Sequence, residues 1–185
     1  MNVTKTALPG VLLLEPKVFE DERGFFMEAF NARTFREATG VDCSFVQDNY
    51  SRSTRHVLRG LHYQVSPMAQ GKLVWVVHGE IFDVVVDLRR ESFTYGRWLG
   101  TYLGASAPRQ LWVPAGFAHG FLVMSDRADV FYKTTAFYSS THERAIAWND
   151  ARLYIDWPVK SPVLSEKDRD APGFDRAVAM DAPFT

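Results

Sequence analysis

Residues 72–88, KLVWVVHGEIFDVVVDL, hold two runs of β-branched and aromatic residues that are typical of strands. The residues between the runs, His78-Gly79-Glu80, predict a turn, so we expect the two runs to form a hairpin. Two carboxylates interrupt the second run. We expect one of them, Asp83 or Asp87, to face outward and the other to make a contact in a turn.

The same pattern of short extended runs, separated by Gly, Pro or Ser, continues on both sides of this stretch. Around ten strands at a spacing of roughly eight to twelve residues predict an all-β sandwich or barrel. The first strand ends at Pro16, which favours an edge position. The predicted strands cover residues 11–15, 25–30, 44–51, 58–65, 72–77, 81–88, 97–103, 110–114, 120–124, 129–135 and 145–148.

One helix is predicted in the first two thirds of the chain, over residues 32–39. Asn31 can cap its start and Gly40 can end it. We expect residues 156–185 to be mostly loop, with one helical turn at residues 164–168.

Length, charge and cysteine content narrow the class of protein. The 185 residues suit one domain with a sizeable core, and we expect residues 1–185 to form it, with 169–185 as a loop-rich tail. The formal net charge of −1 gives no field that would attract nucleic acid or a membrane surface. Cys43 is the only cysteine, which fits a reducing compartment. With no targeting or membrane-spanning pattern in the sequence, we expect a cytoplasmic protein.

The candidate chemistry centres on Arg59-Gly60-Leu61-His62-Tyr63-Gln64 and on Lys72. Strand alternation predicts that Arg59 faces one side and His62 the other. A histidine and a lysine held on rigid strands suit proton abstraction beside a carbonyl, because one acts as base and the other stabilises the oxyanion. A single histidine on a strand is, however, more often a core or surface residue.

Two further predicted strands carry polar groups in suggestive places. Residues 44–51 form an unusually polar strand with Gln47 and Asn49 on one face, which is either an exposed edge or a ligand-facing wall. Alternation turns Tyr132 and Lys133 to opposite faces, so at most one points inward. A catalytic metal is not expected, because the His62 segment lacks the second histidine and the nearby carboxylate that such a site would need.

Nine motifs in order resemble the dTDP-4-dehydrorhamnose 3,5-epimerase family, and the resemblance runs from about residue 16 to residue 168. It implies a cupin-type jelly roll. The motifs are residues 22–26 (ERGFF), 45–49 (FVQDN), 58–64 (LRGLHYQ), 70–74 (QGKLV), 83–89 (DVVVDLR), 114–121 (PAGFAHGF), 132–135 (YKTT), 142–144 (HER) and 164–168 (LSEKD).

The resemblance also implies roles for the matching residues. His62 would be the base with Asp168 as its carboxylate partner, Lys72 would stabilise the enolate, and Tyr132 would be the acid on the opposite face of the sugar. The implied diphosphate ligands are Arg23, Arg59 and His119. The implied residues at the nucleotide end are Phe26, Glu28, Gln47, Asn49, Tyr138 and Glu143.

The implied enzyme is a homodimer with shared active sites, because the N-terminal strands of the family, here with Arg23, Phe26 and Glu28, cross to the neighbouring subunit. Its substrate is a dTDP-sugar, and it uses no nicotinamide, flavin or metal. Alternatives are an epimerase that inverts carbon 3 or carbon 5 only, a 3,4-ketoisomerase, and a cupin that binds a sugar nucleotide without catalysis.

Overall fold

A computed structural model of the chain describes residues 1–179 and Phe184. These residues contain three helices, α1 (Ala32–Thr39), α2 (Glu166–Arg169) and α3 (Phe174–Ala179). They also contain the strands β1 (Asn2–Lys5), β2 (Leu12–Glu15), β3 (Val18–Asp21), β4 (Gly24–Met27), β5 (Gln47–Thr54), β6 (Leu58–Gln64), β7 (Lys72–His78), β8 (Glu80–Asp87), β9 (Trp98–Gly104), β10 (Gln110–Val113), β11 (Phe117–Val123), β12 (Arg127–Thr134) and β13 (Glu143–Ala145).

Two antiparallel sheets pack against each other around a shared apolar core. One has the strand order β1-β2-β10-β7-β12-β5 and the other β13-β6-β11-β8-β9. β3 and β4 form a separate two-stranded hairpin. The prediction of an all-β, cupin-type jelly roll with few short helices is confirmed.

The predicted hairpin between residues 72 and 88 is wrong. β7 pairs with β10 and β12 in the first sheet, whereas β8 pairs with β11 and β9 in the second. Gly79, with φ of 77°, turns the chain from one sheet to the other. Both faces of β8 are buried, one between the sheets and one beneath the C-terminal segment, which explains why apolar residues occupy both faces between Ile81 and Val86, with Asp83 as the one exception.

β2 is not the edge strand that the sequence predicted, since it lies between β1 and β10. The edge on this side of the sheet is β1, a short and mostly exposed strand that was not among the predicted ones. Pro16 follows Glu15, the last paired residue of β2, so its missing N–H removes no hydrogen bond from the ladder.

α1 covers the predicted residues. The Asn31 side chain accepts hydrogen bonds from the backbone at the start of the helix, and Gly40 ends it in the left-handed conformation at φ of 73°. Phe35 is the buried residue of this helix, and it packs with Leu73 and Trp112 on the outer face of the first sheet.

Residues 156–179, which were predicted to be mostly loop, are more structured than expected. α2 confirms a helical turn near residues 164–168, but α3 was not expected. Phe174 of α3 packs with Trp157 on the outer face of the second sheet. Residues 180–183 and 185 of the predicted tail lie outside the described residues. None of the helices in the described part of the chain combines the length and apolar character that crossing a bilayer demands.

Candidate active site

Gly60 places Arg59 and His62 on the same side of β6. It has φ of 124°, and the pairing of β6 with β11 shifts register beside it. The two strands approach closely, because a Cβ on Gly60 would lie 2.6 Å from the Cα of Gly120. This bulge breaks the alternation, so Arg59 and His62 both line one cavity while Leu61 packs in the core. The prediction that Arg59 and His62 face opposite sides is therefore wrong.

His62 is in direct contact with Asp168, which α2 brings to the cavity. The ring Nε2 lies 2.6 Å from the Asp168 Oδ1 atom. Since an ionised carboxylate only accepts hydrogen bonds, Nε2 is the donor in this contact, and a neutral imidazole held in this way has its lone pair on Nδ1. Burial acts to raise the pKa of Asp168, but the contacts with His62 and other donors hold that pKa below its ordinary value. The carboxylate is therefore ionised at neutral pH.

Lys72 and Tyr132 line the same cavity from β7 and β12. Burial lowers the pKa of Lys72 to about 8, although the nearby carboxylates Glu143 and Asp83 act in the opposite direction. Burial also raises the pKa of Tyr132, so the phenol keeps its proton at neutral pH. The cavity thus presents a cation that titrates close to neutrality and a protonated phenol.

The residue after Tyr132 points away from the cavity, as alternation predicted. Lys133 pairs with Asp48 of β5 at 2.7 Å and lies over the Phe30 ring. Only one of the two side chains therefore serves the cavity.

β5 is both an edge strand and a wall of the cavity. Gln47 and Asn49 face a side lobe of about 120 Å³ and are hydrogen-bonded to each other at 2.8 Å. The Gln47 Oε1 atom accepts the backbone N–H of Tyr138 at 2.9 Å. The Tyr138 hydroxyl in turn donates to Glu143 at 2.9 Å. These side chains hold one another in place through hydrogen bonds that a polar ligand can extend.

The main cavity has a volume of about 470 Å³, and the side lobe adjoins it through His62, Lys72 and Tyr132. Ten of the thirteen predicted site residues line the cavity or its side lobe. They are Gln47, Asn49, Arg59, His62, Lys72, His119, Tyr132, Tyr138, Glu143 and Asp168.

The other three predicted residues lie near the β3–β4 hairpin. Arg23 is exposed and pairs with Asp21, and Phe26 is exposed as well. Glu28 accepts a hydrogen bond from Asn31 at 3.1 Å. None of the three lines the cavity of its own chain, so a role for them in substrate binding requires a second copy of the chain.

Asp83 was assigned wrongly, as an outward or turn position. It is fully buried, and its two carboxylate oxygens lie 2.8 and 3.0 Å from Nε2 of His119. A charged residue on a strand with two buried faces needs a buried partner, which was the available signal. Asp87 makes the expected turn contact, because it accepts hydrogen bonds from Arg89 and Thr94.

α2 and its cap contribute two further side chains that the sequence analysis did not single out. Ser165 and Lys167 line the main cavity beside Asp168. The Lys167 Nζ atom lies 2.5 Å from Glu143, which ties this segment to β13. Both residues belong to the 164–168 motif, but only Asp168 was assigned a role.

The fold and this cavity define the class of the protein. It is a cupin-type jelly roll whose cavity combines a carboxylate-backed imidazole, a lysine and a tyrosine, the groups that proton transfer beside a carbonyl requires. Within residues 1–179 and Phe184, no group of three or more His, Cys, Asp or Glu side chains is placed to hold a metal ion.

The model of a family described as dTDP-4-dehydrorhamnose 3,5-epimerase matches residues 5–176. The chain belongs to the dTDP-4-dehydrorhamnose 3,5-epimerase family, as its motifs indicated. It is an enzyme of dTDP-rhamnose biosynthesis, an isomerase that acts on carbohydrates.

Individual relatives agree with this family. The chain is 60% identical over 168 residues to the dTDP-4-dehydrorhamnose 3,5-epimerase of Shigella flexneri, which covers 91% of this chain and 93% of the relative. Its structure is similar to that of dTDP-6-deoxy-D-glucose-3,5-epimerase from Legionella pneumophila in complex with dTDP-4-keto-L-rhamnose. That comparison has a TM-score of 0.95 and 46% identity, and it covers 100% of this chain and 98% of the other.

A relative with narrower specificity shares the fold. A 3'-monoepimerase from Streptomyces bikiniensis, in complex with dTDP-quinovose, matches with a TM-score of 0.90 and 34% identity. The match covers 97% of this chain and 90% of the other. The same architecture therefore occurs in an enzyme described as acting at one position.

Proposed function

We propose that this enzyme inverts carbons 3 and 5 of dTDP-4-keto-6-deoxy-D-glucose and so forms dTDP-4-keto-L-rhamnose. The observation that carries the proposal is that the His62–Asp168 pair, Lys72 and Tyr132 line one cavity. The names of the Shigella and Legionella relatives support the choice of both carbons.

Proton removal is the first half of each inversion. The hydrogens on carbons 3 and 5 flank the ketone at carbon 4, so their loss leaves an enolate. The lone pair on Nδ1 of His62 takes the proton, and Asp168 stabilises the imidazolium that forms. The electrons of the broken C–H bond move toward the carbonyl oxygen, where the Lys72 ammonium stabilises the negative charge.

Proton return is the second half. Tyr132 donates its phenolic proton to the opposite face of the sugar ring, and the enolate returns to the ketone with the centre inverted. The raised pKa of Tyr132 keeps this proton available. The imidazolium then releases its proton to solvent and the phenolate regains one, so the site is restored for the next carbon.

The remaining residues bind the nucleotide. Arg59 and His119 hold the diphosphate, while Gln47, Asn49, Tyr138 and Glu143 hold the nucleoside end of the substrate. A guanidinium matches phosphate oxygens in pairs.

The hairpin of a second subunit completes the site with Arg23, Phe26 and Glu28, so the working unit is a homodimer. The exposure of Arg23 and Phe26 and their absence from the lining of the same chain's cavity support this arrangement. The enzyme acts in the cytoplasm and without a cofactor.

The test is proton NMR of the purified protein with dTDP-4-keto-6-deoxy-D-glucose in heavy water, with nothing else added. We expect a product with the L-rhamno configuration and deuterium at both carbons 3 and 5. Deuterium and inversion at one carbon only would replace the proposal with a single-site epimerase. Migration of the carbonyl would indicate a 3,4-ketoisomerase, and a bound but unchanged sugar would contradict the proposal altogether.

The variant His62→Ala tests the assignment of His62 as the base. We expect His62→Ala to abolish deuterium incorporation at both carbons while it still binds dTDP by calorimetry. His78→Ala is the matched control, because this exposed imidazole lies at the other end of β7 from Lys72. Near-normal turnover in His62→Ala would remove His62 from the mechanism.

A further inference from the structure

The Asp168 carboxylate uses both of its oxygens. Oδ1 lies 2.6 Å from Nε2 of His62, and Oδ2 accepts a hydrogen bond from the Ser165 hydroxyl at 2.8 Å. Asp168 itself is only 3% exposed. A carboxylate can rotate about its bond to Cβ, so the direction of Oδ1 depends on what holds Oδ2.

The Ser165 hydroxyl makes two hydrogen bonds to the same residue. It accepts the backbone N–H of Asp168 at 3.1 Å, which makes it the N-cap of α2, and it donates to the Asp168 side chain. Backbone and side chain of Asp168 are thus fixed by one group. Because α2 has four residues, it has little stability of its own and depends on such contacts.

The other donors to this carboxylate come from β6. They are the imidazole of His62 and the backbone N–H of Gly60, whereas Ser165 belongs to the same segment of the chain as Asp168. Ser165 therefore links the orientation of the carboxylate to the segment that carries it. In metal sites, loss of the hydrogen-bond partner behind a ligand lowers metal affinity or activity by roughly tenfold to a hundredfold, and we expect an effect at the lower end of that range for this carboxylate.

We propose that Ser165 is a positioning residue, whose hydroxyl sets the rotation of the Asp168 carboxylate so that Oδ1 meets Nε2 of His62 and leaves Nδ1 free to take the substrate proton. This inference rests on the proposed function, in which His62 is the base. Ser165 does not itself move a proton to or from the sugar.

Three variants separate this role from helix capping. Ser165→Ala removes both hydrogen bonds, and Ser165→Gly removes the hydroxyl but keeps a residue type that caps helices almost as well. Ser165→Thr keeps the hydroxyl. We expect kcat to fall roughly tenfold in the Ala and Gly variants, with KM and the Kd for dTDP within about twofold of wild type, and to recover in the Thr variant.

A spectroscopic readout accompanies the kinetics. We expect the downfield proton resonance of the His62 Nε2–H to broaden or shift in the Ala and Gly variants and to persist in Ser165→Thr. Ser125→Ala is the matched control, because the Ser125 hydroxyl accepts from Glu80 and donates to Arg127 at a turn that does not line the cavity. That variant should keep both the wild-type kcat and the resonance.

Wild-type kcat in Ser165→Gly, with an unchanged resonance, would overturn the proposal, since water would then replace the hydroxyl without consequence. A lowered kcat that Ser165→Thr fails to recover, with the resonance intact, would overturn it as well. If the wild-type protein shows no turnover, the proposed function fails, but the resonance in the three variants still decides whether Ser165 holds Asp168.

Discussion

Lys72 lies at the start of β7, where burial lowers its pKa to about 8. It loses its charge as the pH rises through that value, so under the proposed mechanism the enolate loses its counter-ion on the alkaline side. We expect kcat/KM to decline about tenfold per pH unit above roughly pH 8. The profile of kcat/KM between pH 6 and 10 measures this. Tyr132 does not cause a decline that begins near pH 8, because burial raises its pKa above the ordinary value for a tyrosine.

Lys72→Arg tests the assignment of the alkaline limb. A guanidinium stays charged across the whole range, so this variant should be slower but should lack the decline near pH 8. A flat wild-type profile up to pH 10 would mean that the Lys72 charge is not needed.

Tyr132 is expected to supply the proton on the opposite face of the sugar. Tyr132→Phe should still let His62 exchange the substrate protons, while inversion falls by on the order of a hundredfold. Deuterium washed in from heavy water without a change of configuration is the expected NMR result. Lys133→Met is the control, since this neighbour pairs with Asp48 outside the cavity. An equal loss of exchange and inversion would show that Tyr132 is not a dedicated acid.

At the scale of single residues, sequence reasoning found the groups that stand in distinctive motifs. His62, Lys72 and Tyr132 line the cavity because their strands place them there. Asp83 and Ser165 were missed because their roles depend on side-chain contacts that the sequence alone does not show. Asp83 contacts His119, 36 positions away in the sequence, and Ser165 matters through a carboxylate that reaches His62.

At the scale of secondary-structure elements, Gly60 determines the local shape of β6. Gly60→Ala would force φ of 124° on an alanine and press its Cβ against the Cα of Gly120 at 2.6 Å and the carbonyl oxygen of His119 at 2.8 Å. Gly24→Ala is the matched control, because Gly24 has φ of 118° and nothing within 4 Å of its added Cβ. Each change adds backbone strain of roughly 1–3 kcal/mol.

We expect the free energy of unfolding in urea to fall by about 2 kcal/mol more for Gly60→Ala than for Gly24→Ala, because only the former adds a steric clash in a packed core. Equal losses in the two variants would show that β6 and β11 can move apart without penalty.

An element could be predicted from the sequence when the interactions that define it lie within a few residues of it. α1 followed from the Asn31 cap and the Gly40 terminator, which act within a few residues. The path of residues 72–88 could not be predicted from local sequence, because a short turn is equally compatible with a hairpin and with a crossing from one sheet to the other. Only the burial of both faces of β8, a property of the whole fold, decides between them. α3 was missed because its two buried residues, Phe174 and Ala177, form too short a pattern.

At the scale of the whole molecule, the proposed sharing of active sites between two subunits predicts complementation between defective chains. We expect Arg23→Ala and His62→Ala each to have low activity alone. After the two are unfolded together and refolded as an equal mixture, about half the dimers pair one chain of each kind and contain one intact site. The mixture should therefore regain about a quarter of wild-type activity, measured as deuterium incorporation.

Separate refolding of each variant is the control for this experiment. No recovery in the mixture would place Arg23 in the site of its own chain or outside any site, and would remove the exchanged hairpin from the proposal.

The His62–Asp168 pair joins positions 106 residues apart, and the second member arrives after the last strand of the roll has been made. The imidazole thus belongs to a strand of the roll, whereas the carboxylate behind it comes from the segment that follows β13 in the sequence. Under the proposed mechanism, a change that detaches this segment from β6 would disable the base without altering any strand of the two sheets.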